Sequence, residues 1–122
     1  MSTPYDAVHG IRPHKIWEGA LARAVSGDRI QLAFVDLEPN VEVPTHQHES
    51  EQVGTVLKGV ITMTIGEAVR TLSPGETYVI ASNLPHKAVA GPEGCAVIDV
   101  FSPPRADWES LERLEPSTGR WP

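Results

Sequence analysis

"THQHESEQVGTVLKG", Thr45 to Gly59, sets two histidines one residue apart, a glutamine after three more residues and a glycine seven beyond that. In an extended chain successive side chains point to opposite faces, so His46 and His48 share a face. Two imidazoles so placed can chelate one ion without bending the backbone. An amide oxygen from Gln52, which opens the apolar run "VGTVL", can complete the set. The alternative for an isolated H-x-H pair is two solvated histidines on a strand edge. His9 and His14 receive that reading because nothing around them suggests another.

The flanking sequence has a period of two. In "VITMTI", Ile61, Met63 and Ile65 fall on one face and Val60, Thr62 and Thr64 on the other. Gly66-Glu67 suits a two-residue hairpin loop, and "SPGE" (Ser73 to Glu76) is a further turn leading into "TYVIA". "ALARAVSG", "RIQLAFVDL" and a last strand "CAVIDVF" read the same way. Ten glycines and eleven prolines exceed ordinary usage and fit a turn-rich chain. About seven or more short strands, with turns roughly every eight to twelve residues, predict an all-β sandwich or small barrel. One short C-terminal helix is expected in "PPRADWESLERLEP", where Pro104 can start it and Trp108, Leu111 and Leu114 fall at helical spacing. The first ten and last six residues are expected to be loose or docked on a partner.

At 122 residues, one domain spanning 1–122 is expected, able to bury roughly two-thirds of its unfolded surface. The single Cys95, inside an apolar run, reads as a small buried hydrophobe and implies no disulfide. Ten Lys and Arg against sixteen Asp and Glu give a net charge of −6 without any basic stripe, so nucleic acid is not an expected partner. The N-terminus has no apolar stretch of signal-peptide length and no segment could span a bilayer, so no membrane partner and a cytoplasmic location are expected. The segment Ile11 to Val25 has little core of its own to cover it. A homodimer in which sheets or edge strands from two chains pack together is therefore expected, since an exposed edge is a liability.

Two further segments extend the pattern. Asn40 stands six before His46, Gly59 seven after Gln52, and in "GETYVIASNLPHKAVA" Gly75 opens a strand while Pro85-His86 closes a loop. In this the chain resembles the cupin family over roughly 30–108. The family's first motif is a glycine, five residues, H-x-H, three or four residues, Glu or Gln, six residues and a glycine. His46, His48, Gln52 and Gly59 fill it in register. Asn40 replaces the first glycine, though asparagine also tolerates positive φ. Ala81, Asn83 and Ala90 depart from the second motif at turn positions. The resemblance implies a jelly-roll barrel, the cupin double-stranded β-helix. It also implies a divalent transition metal (Zn, Ni, Fe or Mn) held by His46, His48, Gln52 and His86. Gln52 in place of a carboxylate leaves the ion its full charge of about +2, which favours an anionic ligand.

"DVFSPPRADW" carries the rest. Asp99 and Phe101 alternate onto one face of the last strand, and Arg105 follows a stiff Ser102-Pro103-Pro104 turn. A carboxylate in an apolar run is costly to bury unless paired or functional. The residues alone allow an outward Asp99 with Arg105 as its surface ion-pair partner. The cupin context favours both lining the cavity. Together with "HESEQVGTVLKG" and "SNLPHKA", the segment looks like the small cupins of pectin and alginate breakdown, which convert 4,5-unsaturated monouronates to linear, ketonised sugars. That resemblance implies an enzyme acting on a small anionic sugar, with Asp99, Arg105 and Phe101 in its active site. Two alternatives are an Fe(II)-dependent cupin dioxygenase and a non-catalytic sugar- or anion-binding cupin.

Overall fold

The long apolar runs become two long strands that organise the rest. The computed structural model describes residues 4–121. Its strands are β1 (His14–Trp17), β2 (Ala20–Ser26), β3 (Gln31–Leu37), β4 (Glu42–His46), β5 (Glu51–Ile65), β6 (Ala68–Leu72), β7 (Thr77–Ile80) and β8 (His86–Ser102). They form one antiparallel sheet in the order β1-β2-β3-β8-β5-β6, with β4 also on β8 and β7 also on β5. β5 and β8 pair twice, Glu51–Gly59 against Cys95–Ser102 and Ile61–Ile65 against His86–Ala90. Between the two stretches the register shifts at Gly59/Ile61.

That bend needs glycine. Gly59 (φ +71°) and Gly94 (φ +78°) face each other, and a Cβ on Gly59 would collide with the Gly94 carbonyl. Thus "CAVIDVF" is the second half of β8, where a separate strand was expected. The predicted turns form: Gly66-Glu67 joins the paired ends Ile65 and Ala68, the Glu76 amide donates to the Ser73 carbonyl, and Asn40 adopts φ 62°. Inward alternation holds too, with Ile61 and Met63 of β5 and Ala33, Val35 and Leu37 of β3 in the core. Cys95 is buried among them, and burial pushes its thiol up to about 12, as suits an inert packing residue.

The expected C-terminal helix does not form. Only a 3₁₀ turn spans Ala106–Ser110, with no side-chain cap at Arg105. The chain beyond it spends its backbone groups elsewhere. The Lys15 amide donates to the Glu112 carbonyl, the Leu114 amide to the Pro13 carbonyl, and His14 bridges Arg113. Those bonds are incompatible with a continuing helix, and they cover the outer edge of β1. That edge, one of the places where a second copy was expected to pack, is therefore closed by the chain itself.

The end of the chain docks on its own sheet. Arg23, buried in β2, donates to the Ser117 carbonyl and hydroxyl, Arg120 pairs with Asp36 at 2.9 Å, and Trp121 packs edge-on against Phe34. Near the start, Val8–Gly10 form a 3₁₀ turn. Residues 4–7 lie outside any helix or strand, and the rest of the expectation of loose or docked ends falls on residues 1–3 and 122, outside the described residues. Elsewhere on the outer face, Val25, Leu32, Val100, Val53 and Val79 are direct cross-strand neighbours on β2, β3, β8, β5 and β7. Four of them are 37–61% exposed, an uncharged aliphatic row about 19 Å wide. No described helix is long and apolar enough to cross a membrane.

Candidate metal centre and its cavity

His46 ends β4 and His86 begins β8, and the two are direct cross-strand partners. His48 comes from the loop between β4 and β5. The loop before β8 is stitched to it: the Asn83 amide, at φ 60°, donates to the His48 carbonyl, and the Ser82 hydroxyl donates to Glu49. The Ser50 hydroxyl ties the other side to the Pro103 carbonyl. These bonds bring the rings to centroid separations of 4.3 Å (His46–His86), 4.8 Å (His48–His86) and 5.8 Å (His46–His48). One nitrogen from each lies within 4.8 Å of the others.

The tautomers follow from the second nitrogens. Nδ1 of His46, His48 and His86 lies 2.8–2.9 Å from the carbonyls of Pro44, Ser50 and Leu84. A carbonyl only accepts, so each Nδ1 carries the proton and each Nε2 keeps its lone pair. The Nε2 atoms of His48 and His86 are buried without a hydrogen-bond partner. Buried acceptors without partners are costly, and three lone pairs converging on one point are what a cation takes up. Burial, reinforced by the neighbouring imidazoles and Arg105, pushes His86 down to about 4. Burial and Arg105 lower His48 as well. Both shifts keep the ligands neutral. Gln52 is buried beside them and lines the same cavity as His46, His86 and Asp99. It suits the fourth position. His9 and His14 stand apart from the cluster.

A cavity of about 70 Å³ reaches inward from His46, Gln52 and His86 to Tyr78, Asp99 and Phe101. A neighbouring pocket of about 210 Å³ shares Ile16, Val43, His46, Arg105 and Trp108 with it and also touches Trp17. Asp99 is 4% exposed and points inward, contrary to the surface alternative. Burial raises its carboxyl to about 6, while hydrogen bonds from Tyr78 and Gln52 and the charge of Arg105 hold it lower than burial alone would. Phe101 packs edge-on to His48 and Trp108. The Arg105 guanidinium lies 5.2 Å from the Phe101 centroid and 4.9 Å from that of Trp108. Its ion-pair partner is Asp107, held through two bonds of 2.9 and 3.0 Å, and not Asp99. The Arg105 amide is fixed by the buried Gln31 side chain.

Six of the seven residues expected at the site line this cavity, and the seventh, His48, stands beside it in the imidazole cluster, its ring 4.8 Å from that of His86. Tyr78 and Trp108 line the cavity as well. Tyr78 shares the inward face of β7 with Ile80, and a buried phenol seeks a polar partner, so the alternation in "TYVI" held a usable signal.

The acid response of the metal-free protein follows from two opposed groups. His86 titrates near 4 when folded against an ordinary 6.5, so from pH 6.5 to 4 the unfolded chain takes up its proton first and stability falls. Asp99 titrates near 6 against 3.8, so from pH 6 down to 3.8 the folded state takes up its proton first and stability rises. The effects oppose each other between pH 4 and 6, with His48 adding to the side of His86. Removing Asp99's share should unmask the histidines. Urea midpoints of metal-free Asp99→Asn should drop more steeply than those of the parent as pH falls from 6 to 4, and parallel curves would refute this balance.

A family profile described as a cupin domain matches residues 33–101. Among curated proteins, H2HPP isomerase of Bacillus subtilis is 34% identical over 76 residues, covering 59% of this chain and 31% of that one. The pectin degradation protein KdgF of Dickeya dadantii (strain 3937) is 36% identical over 64 residues, covering 52% and 58%. The chain thus spans about a third of the first relative and under two-thirds of the second. Among solved structures, KdgF from Halomonas sp. superimposes with a TM-score of 0.78 at 27% identity, covering 87% of this chain and 98% of that one. The profile match covers more than half of the chain and agrees with its antiparallel strand arrangement, and the chain belongs to the cupin family.

Proposed function

We propose that the protein holds a divalent transition metal on His46, His48, Gln52 and His86 and converts a 4,5-unsaturated monouronate to its linear, ketonised form. The observation that carries this reading is the placement of a buried carboxylate, Asp99, below the three imidazoles, with a guanidinium, Arg105, at the rim of the same cavity. The likeness to the two KdgF proteins supports the substrate class, and the isomerase relative supports a rearrangement without redox change.

The residues suit each step. The cavity and the pocket beside it, about 70 and 210 Å³, suit one sugar ring rather than a polymer. Arg105, flanked by Phe101 and Trp108, grips the substrate carboxylate. Asp99, titrating near 6, takes the proton of the anomeric hydroxyl. The bond from the anomeric carbon to the ring oxygen then opens to an aldehyde, its electrons leaving the ring oxygen as an enolate. Return of the proton to C4 leaves a ketone at C5, so atoms balance and nothing is oxidised. A bound divalent ion would orient the sugar oxygens and ease the developing negative charge. Phe101 and Trp108 wall the cavity against water. Incubating the metal-loaded protein with unsaturated galacturonate should abolish the ring-alkene absorbance. Oxygen uptake with Fe(II) and no loss of alkene would replace this reading with a dioxygenase. Tight binding of the uronate without turnover would replace it with a binding protein.

We also propose that the working form is a homodimer joined through the aliphatic row of Val25, Leu32, Val100, Val53 and Val79. In a chain of net charge −6 this neutral row spans five strands, and a second copy presents the same row, as a two-fold interface requires. Light scattering at micromolar concentration should give twice the 13.2 kDa chain mass, and Val53→Glu should halve it. A monomeric parent protein would refute the dimer.

A further inference from the structure

Asp99, Gly54 and Tyr78 lie side by side on three neighbouring strands. Asp99 pairs with Gly54 across β8 and β5, and Gly54 pairs with Tyr78 across β5 and β7. Side chains two strands apart do not ordinarily touch, because the middle residue fills the space. Here the middle residue is glycine, and a Cβ on it would collide with Asp99 Oδ1 and with the Tyr78 ring and hydroxyl. Through that gap the Tyr78 hydroxyl donates a 2.6 Å hydrogen bond to Asp99 Oδ1. Two residues along the same face of β5 sits Gln52, buried on the same cavity as Asp99, whose carboxyl it helps to hold down. A carboxylate accepts only, so toward Asp99 the Gln52 amide can offer only its NH₂ group, which leaves its carbonyl oxygen for the imidazole cluster.

We propose that Tyr78 is a positioning residue: across the gap left by Gly54 it fixes the Asp99 carboxylate, which in turn holds Gln52 with its oxygen toward the three histidines. This deepens the proposed function, since it gives Asp99 a second task beside moving the proton and rests on that reading for the kinetic effect. Outer partners of metal ligands of this kind are worth roughly 10–100-fold in affinity or activity.

The test uses Co(II) alone as the first probe and unsaturated galacturonate as the second. Tyr78→Phe keeps the ring and removes the donor. Its Co(II) affinity should fall about 10–100-fold with a changed visible d–d spectrum, and kcat should fall at least ten-fold with KM little altered. Gly54→Ala, which keeps both partners but closes the gap, should act in the same direction. Restoring a donor with 4-aminophenylalanine at position 78 should return the parent spectrum, which also covers the case of a poorly folding Tyr78→Phe. Tyr78→Phe with parent-like Co(II) affinity and spectrum, including one that only lowers the melting temperature, would overturn the proposal. A parent protein that opens no uronate would defeat the functional reading alone, because the Co(II) measurements still decide the role of Tyr78.

Discussion

His86→Ala should abolish stoichiometric uptake of a divalent transition metal while leaving the barrel folded. His86 contributes one of three converging lone pairs, and its Nε2 is buried with nothing else to bond. Its loss should therefore cost more than the roughly 10–100-fold that attends loss of an outer partner. The metal-free variant should not be much less stable, because the substitution also removes an unsatisfied buried acceptor. The linkage makes this measurable: metal that binds only the folded state raises the melting temperature, by an amount that grows with its concentration over Kd. Adding Zn(II) should raise the melting temperature of the parent protein and leave that of His86→Ala unmoved. Equal rises in both would show that the ion binds elsewhere.

The second large effect separates the two charged residues of the cavity. Asp99→Asn keeps the shape but cannot take a proton, so kcat should fall by about 10²–10⁴ while uronate binding persists. Arg105→Ala removes a charge-assisted contact worth about 1.5–3 kcal/mol, so apparent affinity should fall roughly ten-fold or more. It also takes away a cation packed against Phe101 and Trp108, leaving Asp107 without its partner. Zn(II) should still bind Arg105→Ala as it binds the parent. Were both variants to open uronates at the parent rate, neither residue would belong to the reaction.

The site was legible where the chain is local. His46, His48 and Gln52 lie within seven residues, although the strand expected to carry both histidines ends at His46 and His48 reaches the cluster from the following loop. The inward face of Asp99 and Phe101 does follow from strand alternation. His86 is 38 residues from His48, and nothing in spacing alone joins them; the resemblance did. The structure supplies the physical link in the Asn83-to-His48 backbone bond. Tyr78 escaped because its partner lies two strands away, and only the register that places Gly54 between them brings the two together. Arg105 was legible as a site residue but not by its pairing, since Asp107, two residues on, competes with any distant acid. The helix around Trp108 was misread for a related reason. Helical spacing describes a segment in isolation, whereas the backbone of 112–114 is taken up by 13–15. Tertiary pairing overrode a weak local preference.

The most direct measurement of the central claim is the X-ray absorption spectrum of the Zn(II)-loaded protein. The account predicts a single site with nitrogen and oxygen neighbours at about 2.0–2.1 Å, outer-shell scattering from three imidazoles, and no sulfur. A spectrum with sulfur ligation, or without imidazole scattering, would contradict a centre built from His46, His48, Gln52 and His86.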